Sequence, residues 1–536
     1  MTGRIASAVT AAAAVVAFVL GVHKGTFVPA DTDPYGYVSQ ADAIAGGSIR
    51  IDQRFALTMP WPDAEWSFVP PGYAIATVPG FIVPTYSTGL PLVMAAFERV
   101  SGRRAAVFYV VPLLGAIAVW MTGRLGARVH SRLAGAISAV LLAASPSFVC
   151  QSVQPVSDVP AAAWWTISLA LAVRPGSWSA IGAGLAASMA ILTRPNLAPL
   201  AAVLGAFFVW SVVRPGADDR RAAFRHLALF VIAAIPGCLA VAALNRYLYG
   251  SPLRSGYGRL DDLYAWKRLL PNLNRYPRWL VETQSPLVCL APAAPFVANG
   301  VQRPDEPALR ADHVWLLLAF SAAVLLSYLF WGVFEIDNWF YLRFLLPAYP
   351  PLLVLSVVVA IEVPRRLASR KDVGLLASIL LCAVAASWEM WITLDRRVLD
   401  LQLAERPYRD VGQYAARVMP REAIFIAGLH SGTIRYYANR LTVNYDRLDP
   451  KSLDTAIAAL RARGYHPYIA LEEGEQPTFA KKFGSRSELS RLDWPPAAQG
   501  SNARIWDPLD RRLFLSGVGI VTGDIGLTRK PSVTWK

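Results

Sequence analysis

Apolar stretches of membrane-crossing length recur along most of the chain, and no other feature restricts its fold as strongly. A helix of roughly 20 residues crosses ~30 Å of hydrocarbon, and fewer suffice where the edges are amphipathic. About eleven runs qualify, near residues 5–22, 105–123, 133–150, 157–173, 178–193, 195–213, 227–247, 284–298, 313–334, 344–361 and 373–392. With 54% hydrophobic and only 17% charged residues, the composition departs from that of soluble domains, where about a quarter of residues are charged. The expected class is a polytopic α-helical membrane protein of about 11 spans. The first run reads as an uncleaved span, because no small-x-small cleavage site follows it and many apolar runs come after.

Charge then orients the spans. The stretch Thr88 to Val100 is short and ends in Glu98-Arg99, which suits a helix lying at the interface. Counting it as a span would invert everything after it. Left out, it lets the cytoplasmic loops collect Arg124, Arg128 and Arg132, then Arg174, then Arg214, Arg220, Arg221 and Arg225, then Arg303 and Arg310, then Arg365, Arg366, Arg370 and Lys371. That is the bias expected of inner loops. The formal charge of +15 is thus mostly topological and calls for no nucleic-acid partner. Cys150, Cys238, Cys289 and Cys382 lie in or at the ends of apolar runs without metal-ligand spacing, and read as small buried side chains. The tail has no cysteine and can sit in an oxidising compartment.

The outer loops hold the chemistry. Asp33 precedes Pro34, a helix-start signal for a short helix running to about Ala45. Asp33 then either caps that helix, with Asp31 solvated, or is a functional carboxylate at the membrane edge. The rest of this loop interleaves Trp61, Trp66, Phe68, Tyr73 and Tyr86 with prolines, more than a connector needs, although Trp and Tyr also favour the interface. In the second outer loop, Asp158 either caps the next span or faces Asp33 across a cavity. The stretch from 248 to 284, with Tyr257, Asp261, Asp262 and Arg275, suits a loop covering a polar ligand or a solvated one. Arg343 stands at the mouth of a span, where its planar fork either holds a phosphate or anchors the helix at the interface. Arg194 has the same two readings.

From about Thr393 the composition becomes that of a soluble domain. Strands at Glu422 to Ala427, Leu441 to Asn444 and Pro467 to Leu471 alternate with helices at Ser431 to Ala438 and Asp449 to Arg463, which implies a small α/β layer domain. Two domains are expected, 1–392 in the membrane and 393–536 outside it. Neither G-x-G-x-x-G nor G-x-x-x-x-G-K-[ST] opens a helix, and His430 at a strand end reads as structural.

External carboxylates, external arginines and an aromatic loop suit transfer of a sugar from a lipid phosphate carrier. A carboxylate would deprotonate an acceptor hydroxyl while a cation stabilises the departing phosphate. Asp33-Pro34-Tyr35-Gly36-Tyr37, the stretch Val83 to Leu92 with its Gly89-Leu90-Pro91-Leu92, Asp158, and Arg343 with Pro347 together carry a resemblance. The sequence resembles the GT-C class of lipid-carrier-dependent glycosyltransferases, particularly bacterial relatives of protein O-mannosyltransferases and of lipid A aminoarabinose transferase.

The resemblance spans roughly residues 1–392. It implies an inverting enzyme in a bacterial cytoplasmic (inner) membrane, with its active site and tail facing the periplasm or exterior. The donor would be a polyprenyl-phosphate sugar, the acceptor a lipid, glycan or protein, and membrane lipid the surroundings. Asp33 and Asp158 are the candidate catalytic residues, Arg343 and Arg194 the candidate donor-phosphate ligands, and Asp31, Tyr37, Tyr257 and Arg275 the candidate substrate contacts. Pro34 replaces the family's second acid, so a divalent metal stays open with no ligand assigned. The alternative is a transporter or flippase for a lipid-linked or polar envelope precursor. That class places charges near the midplane on broken helices in paired repeats, whereas here the acids sit at the outer edge and no repeat is evident.

Overall fold

The computed structural model describes residues 3–214, 219–258, 263–298, 309–332 and 337–526. Asp261, Asp262 and Arg303 lie outside them. Helix forms at every one of the apolar runs, yet among the described residues seven helices are long and apolar enough to cross a membrane, or eight if one bent pair is a single span. The other four of the eleven runs fold as shorter or bent helices, one of them Pro286–Ala298. The helix Asp158–Ala172 has 15 residues and Ser177–Thr193 has 17. At 1.5 Å rise they reach only about 22–26 Å. The bent pair, Arg132–Ala144 and Pro146–Ser152, turns by 64°. Pro146 disfavours a helical conformation at Ser145, whose ψ of 121° ends the first helix and whose hydroxyl accepts the Phe148 N–H to start the second.

The span Trp339–Leu367 is enclosed by other helices along its apolar length. Its first arm, Trp339–Ala348, is a 3-10 helix that contains Arg343 and Pro347. Helices α1 (Gly3–His23) and Val110–Val129 pack together beside it.

The first outer loop opens with α2 (Asp33–Ala45), which starts and ends where the Asp-Pro signal places it. Its carboxylate does not cap the helix: Thr32 holds the cap position and no side-chain capping bond forms. A four-residue helix α3 (Ala64–Ser67) follows, then α4 (Gly89–Ser101), which is the short apolar run read as interfacial and which packs on α2. Gly89 lets the start of α4 also approach the end of the helix Ser177–Thr193, since a Cβ there would meet the Thr193 nitrogen at 2.4 Å. Between α2 and α4 the loop forms a three-stranded antiparallel sheet of β1 (Ile51–Asp52), β2 (Tyr73–Ile75) and β3 (Phe81–Pro84), in the order β1-β3-β2. Its aromatic and proline content alone gave no strand signal.

The C-terminal region has a six-stranded sheet of order β5-β4-β6-β8-β7-β9, built from β4 (Ala423–Ala427), β5 (Thr442–Asn444), β6 (His466–Glu472), β7 (Ala498–Gly500), β8 (Ala503–Trp506) and β9 (Gly523–Gly526). β5, β4 and β6 run parallel and β8 antiparallel to β6. The three strands and two helices expected from sequence are present within a few residues, and β7, β8, β9 and the helix Leu401–Arg417 add to them. One feature cuts across the expected boundary at 392/393. Trp61, Phe68 and Met59 of the first outer loop share a hydrophobic core with Ile426, Tyr445 and Phe479 of the sheet region. Arg435 adds a hydrogen bond from Nη2 to the Phe68 carbonyl at 2.6 Å.

Candidate active site

Pro34 fixes the first turn of α2, so the Asp33 side chain projects from the helix end rather than lying in its interior. Gly36, one turn on, has no side chain, and a Cβ there would meet the Tyr86 ring at 2.3 Å. That vacancy lets Tyr86, two residues past β3, lie flat against α2 and donate its hydroxyl to Asp33 Oδ1 at 2.5 Å. From the opposite wall, Arg343 Nη2 donates to Asp33 Oδ2 at 2.8 Å. The carboxylate side chain keeps 28% of its exposure, while Arg343 keeps 11%.

A second pair stands beside the first. Arg194 Nη2 donates to Asp158 Oδ1 at 2.5 Å, its Nε to Ser157 Oγ at 3.2 Å, and its Nη1 to the Tyr328 hydroxyl at 3.4 Å. Tyr37 donates its hydroxyl to the same Ser157 Oγ at 2.7 Å. Both guanidiniums approach the Phe344 ring, Arg343 at 5.1 Å and Arg194 at 5.5 Å, and that ring stacks on Tyr328. Cation–π attraction to one shared ring offsets part of the repulsion between the like charges.

These groups surround a cavity of about 510 Å³. Asp31, Asp33, Tyr37, Tyr257, Arg194 and Arg343 all line it. Two sequence expectations do not join them. Asp158 is not in the wall and does not face Asp33 across the cavity; its side chain is 2% exposed and bound to Arg194, because that buried cation needs a counter-charge. Arg275, on the helix Leu269–Gln284, is likewise absent from the wall. Three contributors escaped the sequence reading: Tyr86 as the partner of Asp33, Phe340 under Arg343, and Glu405, which the helix Leu401–Arg417 brings to the rim. Tyr86 and Glu405 reach the cavity only through tertiary packing, whereas Phe340 stands three residues before Arg343 in the same 3-10 helix.

Two acids two residues apart are driven in opposite directions. Desolvation would raise the Asp33 carboxyl, but the Arg343 charge, the Tyr86 hydroxyl and the Arg194 charge outweigh it and hold it below the ordinary aspartate value. Asp31, in the left-handed region with φ 50°, is raised by desolvation and by the charges of Asp33 and Glu472, against a hydrogen bond from Thr32. Tyr86 is pushed well up, by burial first and then by the neighbouring Asp33 charge. Asp33 is therefore ionised and able to accept a proton, and the arginines present donors that suit an oxyanion. Among the described residues no three His, Cys, Asp or Glu side chains are grouped to hold a metal ion, and no ligand set is assigned.

No family model and no curated relative matches the sequence. Solved structures match the fold. ArnT from Cupriavidus metallidurans bound to undecaprenyl phosphate is 12% identical, with a TM-score of 0.53 over 94% of this chain and 98% of that one. The Archaeoglobus fulgidus oligosaccharyltransferase in its apo form is 12% identical, with a TM-score of 0.52 over 91% and 72%. Arabinofuranosyltransferase AftD from Mycobacteria is 14% identical, with a TM-score of 0.51 over 88% and 37%. All are GT-C glycosyltransferases, so the resemblance read from the motifs holds at the level of fold across most of the chain. At such identities a shared fold does not carry a substrate with it.

Proposed function

We propose that this chain is an inverting, lipid-carrier-dependent glycosyltransferase that moves a sugar from a polyprenyl-phosphate donor to an acceptor hydroxyl. The observation that carries the reading is the meeting of one ionised, part-exposed carboxylate and two guanidiniums in a single cavity. The fold neighbours support the donor class, one having been crystallised with undecaprenyl phosphate and an archaeal oligosaccharyltransferase with a dolichol-phosphate.

In this reading the acceptor oxygen attacks the anomeric carbon while the bond from that carbon to the phosphate oxygen breaks. The acceptor proton passes to Asp33, and the bonding electrons leave on the carrier phosphate, whose charge Arg343 and Arg194 take up. A donor phosphate competes with Asp33 for Arg343. Engaging the phosphate loosens the ion pair and makes Asp33 a stronger base in the loaded site than in the empty one. Tyr86 keeps the carboxylate aimed in both states. Asp158 acts through Arg194 as a positioning residue. Tyr37, Tyr257 and Asp31 line the space for sugar and acceptor. No step runs through a metal.

The arginine bias of the inner loops supports a multi-pass protein of the bacterial inner membrane whose cavity and sheet region face outward. Residues 1–392 form the catalytic part and 393–536 the external part, which lends Glu405 to the cavity rim. The test is carrier release by purified protein from a panel of polyprenyl-phosphate sugars. Asp33→Asn abolishes release and keeps carrier binding; full activity in that variant removes Asp33 from the mechanism.

A further inference from the structure

A second cavity, of about 610 Å³, lies wholly within the C-terminal region and has no part in the proposed reaction. Three segments build it: the helix Leu453–Ala462, the turn from Gly484 to Leu489, and the start of the helix Asp510–Leu515. Arg461, Arg486, Arg511 and Arg512 face it, against Asp454 and Glu488.

The acids are already committed. Glu488 pairs with Arg491 at 2.8 Å and Arg511 at 3.1 Å. Asp454 Oδ1 accepts from Ser487 Oγ at 2.6 Å. Arg511 is satisfied further by Asp493 at 2.8 Å. Arg461, Arg486 and Arg512 are left without a carboxylate at ion-pair distance among the described residues. Arg461 goes further, for its Nε and Nη2 are enclosed yet carry no hydrogen bond. Burial lowers its guanidinium, and so does the neighbouring charge of Arg512, with Asp507 opposing. Asp507 itself is bound to His466 at 2.6 Å. The Arg461 charge thus adds, behind the wall, to those of Arg486 and Arg512 at the cavity.

We propose that this cavity binds a saccharide carrying a phosphate or carboxylate. The oxyanion would take the exposed Arg512 and Arg486 guanidiniums, whose geometry suits bidentate contact, with the Arg461 charge behind them. The volume exceeds that of a bare anion and lies in the range of small-molecule sites. Ile457, Leu489 and Pro508 give it the apolar patches against which a sugar ring packs.

The probe is glucose 6-phosphate, titrated calorimetrically into the full chain in detergent, with glucose and inorganic phosphate as comparators. To silence the cavity at Asp33, each titration is repeated in an Arg343→Gln background. Glucose 6-phosphate binds in both backgrounds, more tightly than inorganic phosphate, and glucose does not bind. Arg461→Gln weakens binding about tenfold, and Arg512→Gln, at an exposed position that the fold does not need, weakens it as well. Asp33→Asn leaves it intact, so loss of transfer and loss of this site are separable. No binding to the unmutated chain, unchanged affinity in both arginine variants, or equal binding of glucose overturns the proposal. Equal binding of inorganic phosphate overturns its saccharide part.

Discussion

Two aspartate–arginine pairs lie side by side in this protein and differ in one physical respect. Asp33 and Arg343 meet at a cavity wall, where the carboxylate keeps 28% of its exposure. Asp158 and Arg194 meet behind it, with the carboxylate at 2%. The residue types are identical and the distances nearly so, yet an acceptor can reach only the first carboxylate. The second can at most hold its arginine in place. In the proposed reaction, which aspartate serves as the base is therefore decided by access rather than by ion pairing.

The strongest way to break this contrast is to neutralise both acids in turn. Asp33→Asn lowers kcat by about 10²–10⁴, the ordinary worth of a positioned general base, as read by carrier release from purified protein. Asp158→Asn strands a buried guanidinium and costs about 3–5 kcal/mol of stability, read as a lower Tm. Its transfer per folded molecule stays well above that of Asp33→Asn. Equal loss of transfer in the two, with Tm unmoved, collapses the distinction.

Arg343→Lys keeps the charge and removes the planar fork. It raises donor KM by about tenfold and changes kcat less, which initial-rate kinetics resolve. The smallest effect is the most specific. Asp33 lies below the ordinary aspartate value, so the acid limb of kcat/KM lies below it too, and the pair's contribution to stability is present above that value and lost as pH falls through the depressed one. Tyr86→Phe removes a donor to the charged form and moves the acid limb upward with little change in rate at neutral pH. A pH–rate profile that ignores Tyr86 removes it from the site.

The sequence was most legible where a signal is local. Asp-Pro located α2 to the residue at both ends, and the tail's helix Ser431–Ala438 fell where its pattern placed it. Each apolar run holds a helix, but the helix Leu269–Gln284 lies outside them, and run length alone does not reveal which helices stay short or that Pro146 bends one. Asp33 and Arg343 were legible as chemistry-bearing types near an edge. Their meeting was not, being set across 310 residues of chain, nor was Tyr86 as a partner 53 residues away, which needed a glycine at 36 to make room. Asp158 shows the converse error. Its position in an outer loop implied access, and only packing reveals that access is denied.

The shared core of Trp61, Phe68 and the sheet region has a consequence for biogenesis. Phe68 precedes Arg435, which hydrogen-bonds its carbonyl, by 367 residues. At ~5–20 residues per second, ribosomes need roughly 20–70 s to synthesise that interval. Throughout it, the loop's aromatic face has been made and its lid has not. The C-terminal sheet region thus closes over a loop near the other end of the chain, and a translation product cut short before the sheet leaves that greasy surface open to whatever chaperone or protease finds it.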